Sequence, residues 1–157
     1  MTALCTGSFD PITVGHYDYI RRAAAIFDRV VVAVSVNTEK KYMFDLESRV
    51  RFVKEAFEAF PNVSVAVDSG WVADLAAEHG ADVIVKGVRN GTDLDYEYTI
   101  ACVNKKTSGV DTFFIPSAPE YCFISSTMVR EMIKHGKDYR PYVPEGVRLY
   151  GEEAKDV

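Results

Sequence analysis

The stretch GSFDPITVGH, Gly7 to His16, gathers two glycines, a proline, an acid, two hydroxyls and a histidine within ten residues. That set suits a turn built to receive an anion. Gly7 permits a sharp exit from a strand and close approach of a ligand to the backbone, Pro11 stiffens the turn, and Gly15 keeps a helix start free of side-chain bulk. His16 then falls in the first helical turn, where unpaired N–H groups and the positive end of the helix dipole favour phosphate. Ser8 adds a hydroxyl donor. Asp10 has two readings: a ligand for a metal or substrate hydroxyl, or, favoured before a proline, an acceptor for backbone donors. The bland alternative for the whole stretch is a plain strand-to-helix turn with an incidental histidine, and the spacing argues for one anion site instead.

The elements that must hold such a turn follow from periodicity. Leu4 and Cys5 lead into it. Tyr17, Ile20, Ala23, Ala24 and Phe27 then share a helical face. Val30 to Val36 is apolar and β-branched almost throughout, as a strand covered on both faces would be. A loop with Lys40 and Lys41 precedes a helix capped by Asp45, with Val50, Val53, Phe57 and Phe60 on one face. Val63 to Val67 forms a strand, Val72 to His79 a helix ended by Gly80, and Asp82 to Val85 a fourth strand. Thr92 is placed to cap a helix through about Lys106, Thr112 to Ile115 gives strand five, and Ser125 and Ser126 lead into a last helix ending near Gly136. This alternation predicts one domain over 1–157, an α/β fold with a Rossmann-like, doubly wound, five-stranded parallel sheet and helices on both faces. The segment 137–157 reads as loop, with Pro144 opening one short terminal helix. In such sheets ligands bind at the carboxyl ends of the strands, near the switch in strand order, which is where Gly7 to His16 must lie.

Composition bounds the function classes. The chain has 157 residues, 48% hydrophobic and 26% charged, with net charge −5. That balance gives little attraction for nucleic acid or an anionic membrane, so a phosphate site must be local. Three separated cysteines, Cys5, Cys102 and Cys122, suggest neither a disulfide framework nor zinc, and buried thiols in a reducing compartment are the expectation. MTALC lacks a signal-peptide pattern and no apolar run is long enough to span a bilayer, so a cytoplasmic protein is expected.

Three further stretches join the first, which itself holds Thr13-Val14-Gly15-His16: EKKYMFDLESRV (Glu39 to Val50), VKGVRNGTDLDYE (Val85 to Glu97) and FISSTMVRE (Phe123 to Glu131). Together they resemble the nucleotidyltransferase superfamily with the (H/T)xGH motif, and in order and spacing the bacterial phosphopantetheine adenylyltransferase family. The resemblance covers nearly the whole chain and weakens past about Lys137. It implies reversible transfer of AMP from ATP to 4′-phosphopantetheine, giving dephospho-coenzyme A and pyrophosphate by in-line attack without a covalent intermediate. It also implies Mg²⁺ accompanying ATP, a homohexamer, and feedback inhibition by coenzyme A.

Carried over position by position, His16, Lys40 and Ser8 are the catalytic set. His16 stabilises the α-phosphate, Ser8 contacts the same region, and Lys40 reaches the nucleophilic phosphate. The resemblance assigns ATP contacts to Ser8, Phe9 and His16, to Gly87, Val88, Arg89 and Glu97, and to Tyr121, Cys122, Phe123, Ile124, Ser125, Ser126 and Thr127. Phosphopantetheine contacts fall on Ser8, Lys40, Val72 and Lys86. Each has a plainer reading beside it. Lys40 alone is a solvated loop lysine, Val72 is core, the serines are helix caps, and Asp93 and Asp95 are a solvated acidic face. Lys86-Gly87-Val88-Arg89 reads as a loop after the fourth strand, whose glycine admits ATP to the backbone while Arg89 forks onto the β- and γ-phosphates. Three positions depart from the family's commoner residues: Lys86 for arginine, Ser8 for threonine and Thr6 for proline. Rival readings are a nicotinate-mononucleotide adenylyltransferase, a glycerol-phosphate or choline-phosphate cytidylyltransferase, and a nucleotide-binding domain without turnover. Thr13 and the KKxMF and ISST segments weigh against the first, and His16 with Lys40 against the last.

Overall fold

The computed structural model describes residues 1–68 and 70–150. Five parallel strands, β1 (Thr2–Gly7), β2 (Arg29–Ser35), β3 (Val63–Asp68), β4 (Val83–Val88) and β5 (Asp111–Pro116), form one sheet in the order β3-β2-β1-β4-β5. Between them run α1 (Val14–Ile26), α2 (Leu46–Ala56), α3 (Val72–Glu78) and α4 (Gly91–Ser108), and α5 (Ser126–Lys134) follows the last strand. Strand alternation sorts the core into two layers. Ala3, Cys5, Val32 and Val85 pack with Tyr19, Ile20, Phe52 and Val129 of α1, α2 and α5. Leu4, Val31, Ala33 and Ile84 face the other way, onto Leu75 and Ala76 of α3. Strand order reverses between β1 and β4, so the carboxyl ends of those two strands open the crevice that α1 enters.

Local chemistry accounts for most boundaries. Asp45 caps α2 through Ser48 N–H and Ser125 caps α5 through Met128 N–H. Gly80, at φ +60°, follows α3 in the left-handed region that favours glycine.

Several expectations are corrected. β4 runs on through Lys86, Gly87 and Val88, which pair with Phe114, Ile115 and Pro116 of β5, so these residues are strand and not the loop after it. Asn90, not Thr92, caps α4, accepting Asp93 N–H on its side chain. Phe57 ends α2 as its C-cap and Phe60 lies outside the helix. Pro144 opens no helix: Gly146 turns left-handed at φ +89°, and the short helical turn of this segment is a 3₁₀ turn at Arg140–Tyr142. The remainder of the predicted C-terminal segment, 151–157, lies outside the described residues. Cys5 is buried as expected, its thiol pushed up to about 12 by burial, but Cys102 and Cys122 are exposed, on α4 and in the turn before α5. Of the eighteen residues of α4 only Asn104 is buried, and Leu94, Tyr96, Tyr98 and Val103 stand exposed. Among the described residues no helix is long and apolar enough to cross a membrane.

Candidate active site

The crevice at the strand-order switch holds a cleft of about 290 Å³. Its walls come from the start of α1 (Thr13, Gly15, His16, Tyr19), the end of β4 and start of α4 (Gly87, Arg89, Asp93, Glu97), Ser117 after β5, and Ile124 with Ser125, Ser126 and Thr127 at the start of α5. Three helix starts therefore border one space, in which hydroxyls, an imidazole and a guanidinium stand with the carboxylates of Asp93 and Glu97.

His16 is held in one tautomer by the turn before it. Thr13 is the α1 N-cap, and its side chain accepts the His16 backbone N–H at 3.4 Å. The imidazole answers reciprocally: Nδ1 accepts the Thr13 backbone N–H at 3.1 Å, the capping-box exchange with histidine in the place of the usual acid. With Nδ1 engaged as an acceptor, Nε2 carries the proton and is a donor. Burial, then Arg89, then Lys86 lower the His16 pKa to about 4, so the ring is neutral at physiological pH.

The glycines serve neighbours rather than a ligand. Phe9 adopts φ 48°, rare for a non-glycine residue, and buries its ring 5.2 Å from that of His16. A Cβ on Gly7 would stand 3.1 Å from that ring, so Gly7 makes room for Phe9, where ligand access was expected. At Gly87 a Cβ would lie 2.5 Å from the ring of Tyr19. The side of Gly87 where a side chain would stand is thus taken by a buried tyrosine, whose phenol is pushed well upward by burial and by the Cys5 and Glu97 charges, while Gly87 itself still lines the cleft. Gly15 meets nothing closer than 3.6 Å and does leave the helix entrance open.

Charges line the cleft in pairs. Arg89 forks onto Asp93 at 2.8 and 3.0 Å, and its remaining amino group donates to Ile124 carbonyl at 3.4 Å. Asp93 is therefore an ion-pair partner, where a solvated acid was expected. Its carboxyl lies below the usual range chiefly through the Arg89 hydrogen bond. Lys86 donates to the Thr6 carbonyl at 3.2 Å and lies 3.6 Å from Glu97 Oε2, a buried oxygen with no hydrogen-bond partner. Asp10 follows the backbone-acceptor reading, taking the N–H groups of Met43 and Phe44 at 2.9 Å each.

The cytidylyltransferase-like family model matches residues 4–132. A phosphopantetheine adenylyltransferase of Flavobacterium psychrophilum is 47% identical over 147 residues, 94% of this chain and 97% of its own, and one of Flavobacterium johnsoniae is 46% identical over the same span. The chain belongs to the phosphopantetheine adenylyltransferase family. It is accordingly a nucleotidyltransferase, an enzyme of coenzyme A synthesis. More distant solved structures share the fold. A Vibrio parahaemolyticus protein described as a nicotinate-nucleotide adenylyltransferase aligns at TM-score 0.65 with 18% identity, covering 93% of this chain and 88% of its own. The lipopolysaccharide core biosynthesis protein of Thermoplasma volcanium aligns at 0.55 with 23% identity, covering 75% and 96%.

The geometry gathers only part of the expected set. His16, Gly87, Arg89, Glu97, Ile124, Ser125, Ser126 and Thr127 line the cleft. Phe9 and Val88 are core, Phe123 is 60% exposed against Tyr142, and Cys122 is exposed. Tyr121 stands behind Gly15, 4.0 Å from where its Cβ would be. Val72 packs on the α3 face of the core, which is its plainer reading. Ser8 is half-buried, Lys40 is exposed on the loop after β2, and Lys86 is half-buried beside Glu97, outside the cleft lining. Sequence reasoning missed Thr13 as the cap that sets the histidine tautomer, Tyr19 and Ser117. The capping-box spacing, a threonine three residues before His16 at a helix start, was a usable signal for Thr13; Tyr19 and Ser117 offered none.

Proposed function

We propose that this cleft transfers AMP from ATP to 4′-phosphopantetheine, releasing pyrophosphate and forming dephospho-coenzyme A, reversibly and by direct in-line attack. The observation that carries the reading is His16, a neutral imidazole with its Nε2–H left to donate at a helix start lined with hydroxyls. The phosphate of phosphopantetheine attacks the α-phosphorus of ATP, and the bond from that phosphorus to the bridging oxygen of pyrophosphate breaks. No side chain need become covalently loaded, so catalysis is positioning and charge stabilisation. Nε2–H donates to the α-phosphoryl oxygen as charge builds there. Ser125 and Thr127 offer hydroxyls and the α5 start its backbone N–H groups, and Arg89, aimed by Asp93, takes the β- and γ-phosphates. Lys40, with Ser8, receives the incoming phosphate, and Lys86 adds positive charge nearby.

Among the described residues there is no grouping of three or more histidine, cysteine or acidic side chains that could hold a metal. The cleft's carboxylates, Asp93 and Glu97, each stand beside a cation. A magnesium ion accompanying ATP would be carried by the nucleotide and would neutralise phosphate charge. The same proposal includes assembly into a homohexamer with coenzyme A as a feedback inhibitor. Assembly is supported by the exposed aromatic and aliphatic side chains of α4 and by exposed Trp71 and Phe113.

Incubation with ATP and Mg²⁺ plus phosphopantetheine, nicotinate mononucleotide or glycerol phosphate in turn, with pyrophosphate measured, tests the reading. Release with phosphopantetheine alone is expected. Release only with another acceptor would replace the substrate assignment and leave the reaction class.

A further inference from the structure

Two charged side chains away from the cleft are almost fully buried, and both hold the same short loop. Asp10 is 3% exposed and Arg49 1% exposed. The two carboxylate oxygens of Asp10 accept one backbone N–H each, from Met43 and Phe44. Arg49 donates to the carbonyls of Phe44, Ser8 and Ser35 at 3.2, 2.8 and 2.9 Å, and its guanidinium lies 3.8 Å from the centroid of the Tyr42 ring. The Tyr42 hydroxyl accepts the Asn37 N–H at 2.9 Å, while Asn37 accepts the Glu39 N–H on its side chain and the Lys40 N–H on its carbonyl. Between these anchors lie Thr38 to Lys41, all exposed. The loop thus has a fixed root and a solvent-facing tip, and Lys40 is on the tip.

Asp10 also reaches the opposite wall of the cleft. Arg130 of α5 donates to the Asp10 carbonyl at 2.7 Å and comes within 3.8 Å of its carboxylate, while Ser126 donates to the next carbonyl, Pro11, at 2.7 Å. The start of α5 and the root of the lysine loop are therefore referenced to one residue. A carboxylate suits that place, because two N–H donors converge on it and an amide would set a donor against one of them.

We propose that Asp10 is a positioning residue for the transfer, with Tyr42 as its counterpart on the loop. Together they hold Lys40 in register with the α5 wall, so that the attacking phosphate meets its cation while ATP is seated at His16. The inference rests on the assignment of Lys40 to the incoming phosphate.

The test is a pair of double-mutant cycles on steady-state kinetics for both substrates: Asp10→Asn and Tyr42→Phe, each alone and combined with Lys40→Ala, with thermal unfolding of every variant. Asp10→Asn is expected to lower kcat/KM for phosphopantetheine about 10- to 100-fold and Tyr42→Phe about 5-fold, with the KM for ATP moving less than about twofold. In the Lys40→Ala background both losses should shrink to within about twofold. Losses that persist there undiminished, or that fall equally on ATP, would mean general loosening and overturn the proposal. Tyr42→Phe removes one oxygen from a half-buried ring, so it reports even where Asp10→Asn fails to fold. Full activity of Lys40→Ala would defeat the Lys40 assignment and this inference with it, whereas an impaired Lys40→Ala with additive doubles defeats the inference alone.

Discussion

Replacing His16 by alanine isolates the donor on which the mechanism turns. The Thr13 N–H occupies Nδ1 at 3.1 Å, so the substitution deletes one preorganised N–H donor at Nε2 and one acceptor in the α1 cap. Loss of a single such donor from a transition-state site costs about 3–4 kcal/mol, or roughly 10²- to 10³-fold in kcat. ATP binding should change far less, because Arg89 and the α5 start are untouched. Pyrophosphate-release kinetics and calorimetric titration with ATP separate the two. The same tautomer argument has a pH signature. The folded-state pKa of His16 falls from 6.5 to about 4, so between those values the unfolded chain binds a proton that the folded chain refuses. The stability contributed by the neutral ring is complete above pH 6.5. It is lost as pH falls toward 4, at up to about 1.4 kcal/mol per pH unit. His16→Ala should flatten that part of the stability–pH curve, and the wild-type imidazole resonance, assigned by its absence from the variant, should stay unmoved from pH 8 to 5.5. Unchanged turnover in the variant, or an imidazole titrating near 6.5, would refute the reasoning.

Three other expectations concern the walls of the cleft. Gly87→Ala drives a Cβ to 2.5 Å from the Tyr19 ring, and overpacking of that kind lowers stability by about 1–3 kcal/mol; denaturant unfolding should show it, with Tyr19→Leu in the same chain restoring part of the loss. Lys86→Met removes one of the two cations that depress the His16 pKa, so by NMR titration that pKa should rise above 4 yet stay below 6.5, since burial, the larger cause, is unchanged. Arg89→Lys keeps the charge and loses the fork, and should raise the KM for ATP about 10-fold or more in steady-state assays.

The fold was legible because its signals are local. Val30 to Val34 announce a two-sided strand within one run, and Asp45 and Ser125 cap their helices within three residues. Where reading failed, the deciding partner is distant in sequence or chemically interchangeable with its neighbour. Lys86 and Gly87 look like a loop because neither residue favours a strand, yet β5 supplies the pairing and Tyr19 supplies the reason for the glycine. Asn90 and Thr92 are both good caps two positions apart, and composition does not choose between them. Asp93 reads as surface because acids at a helix start usually are. Its pairing with Arg89 needs the chain to turn at Asn90 so that strand end and helix start face each other.

The two halves of the site differ in how they are built, and that difference explains which residues the cleft gathers. The groups assigned to ATP that line the cleft stand on helix starts and a strand end, at α1, β4, α4 and α5, and several are already paired or capped: His16 on Thr13, Arg89 on Asp93, Ser125 on Met128. Regular elements fix such positions without a ligand. The groups assigned to phosphopantetheine are not gathered in that cleft: Lys40 stands on an exposed tip, Val72 at the start of α3 is engaged with the core, and Lys86 on β4 is drawn toward Thr6 and Glu97. Of these, only Lys40 can be delivered by rearranging a few solvent-facing residues, because its loop is anchored on both sides and its tip is not. A preformed nucleotide half and an acceptor half completed by one loop is the arrangement expected where two polyanions must meet: the first is bound by fixed donors, and the second brings in its cation on a solvent-facing tip.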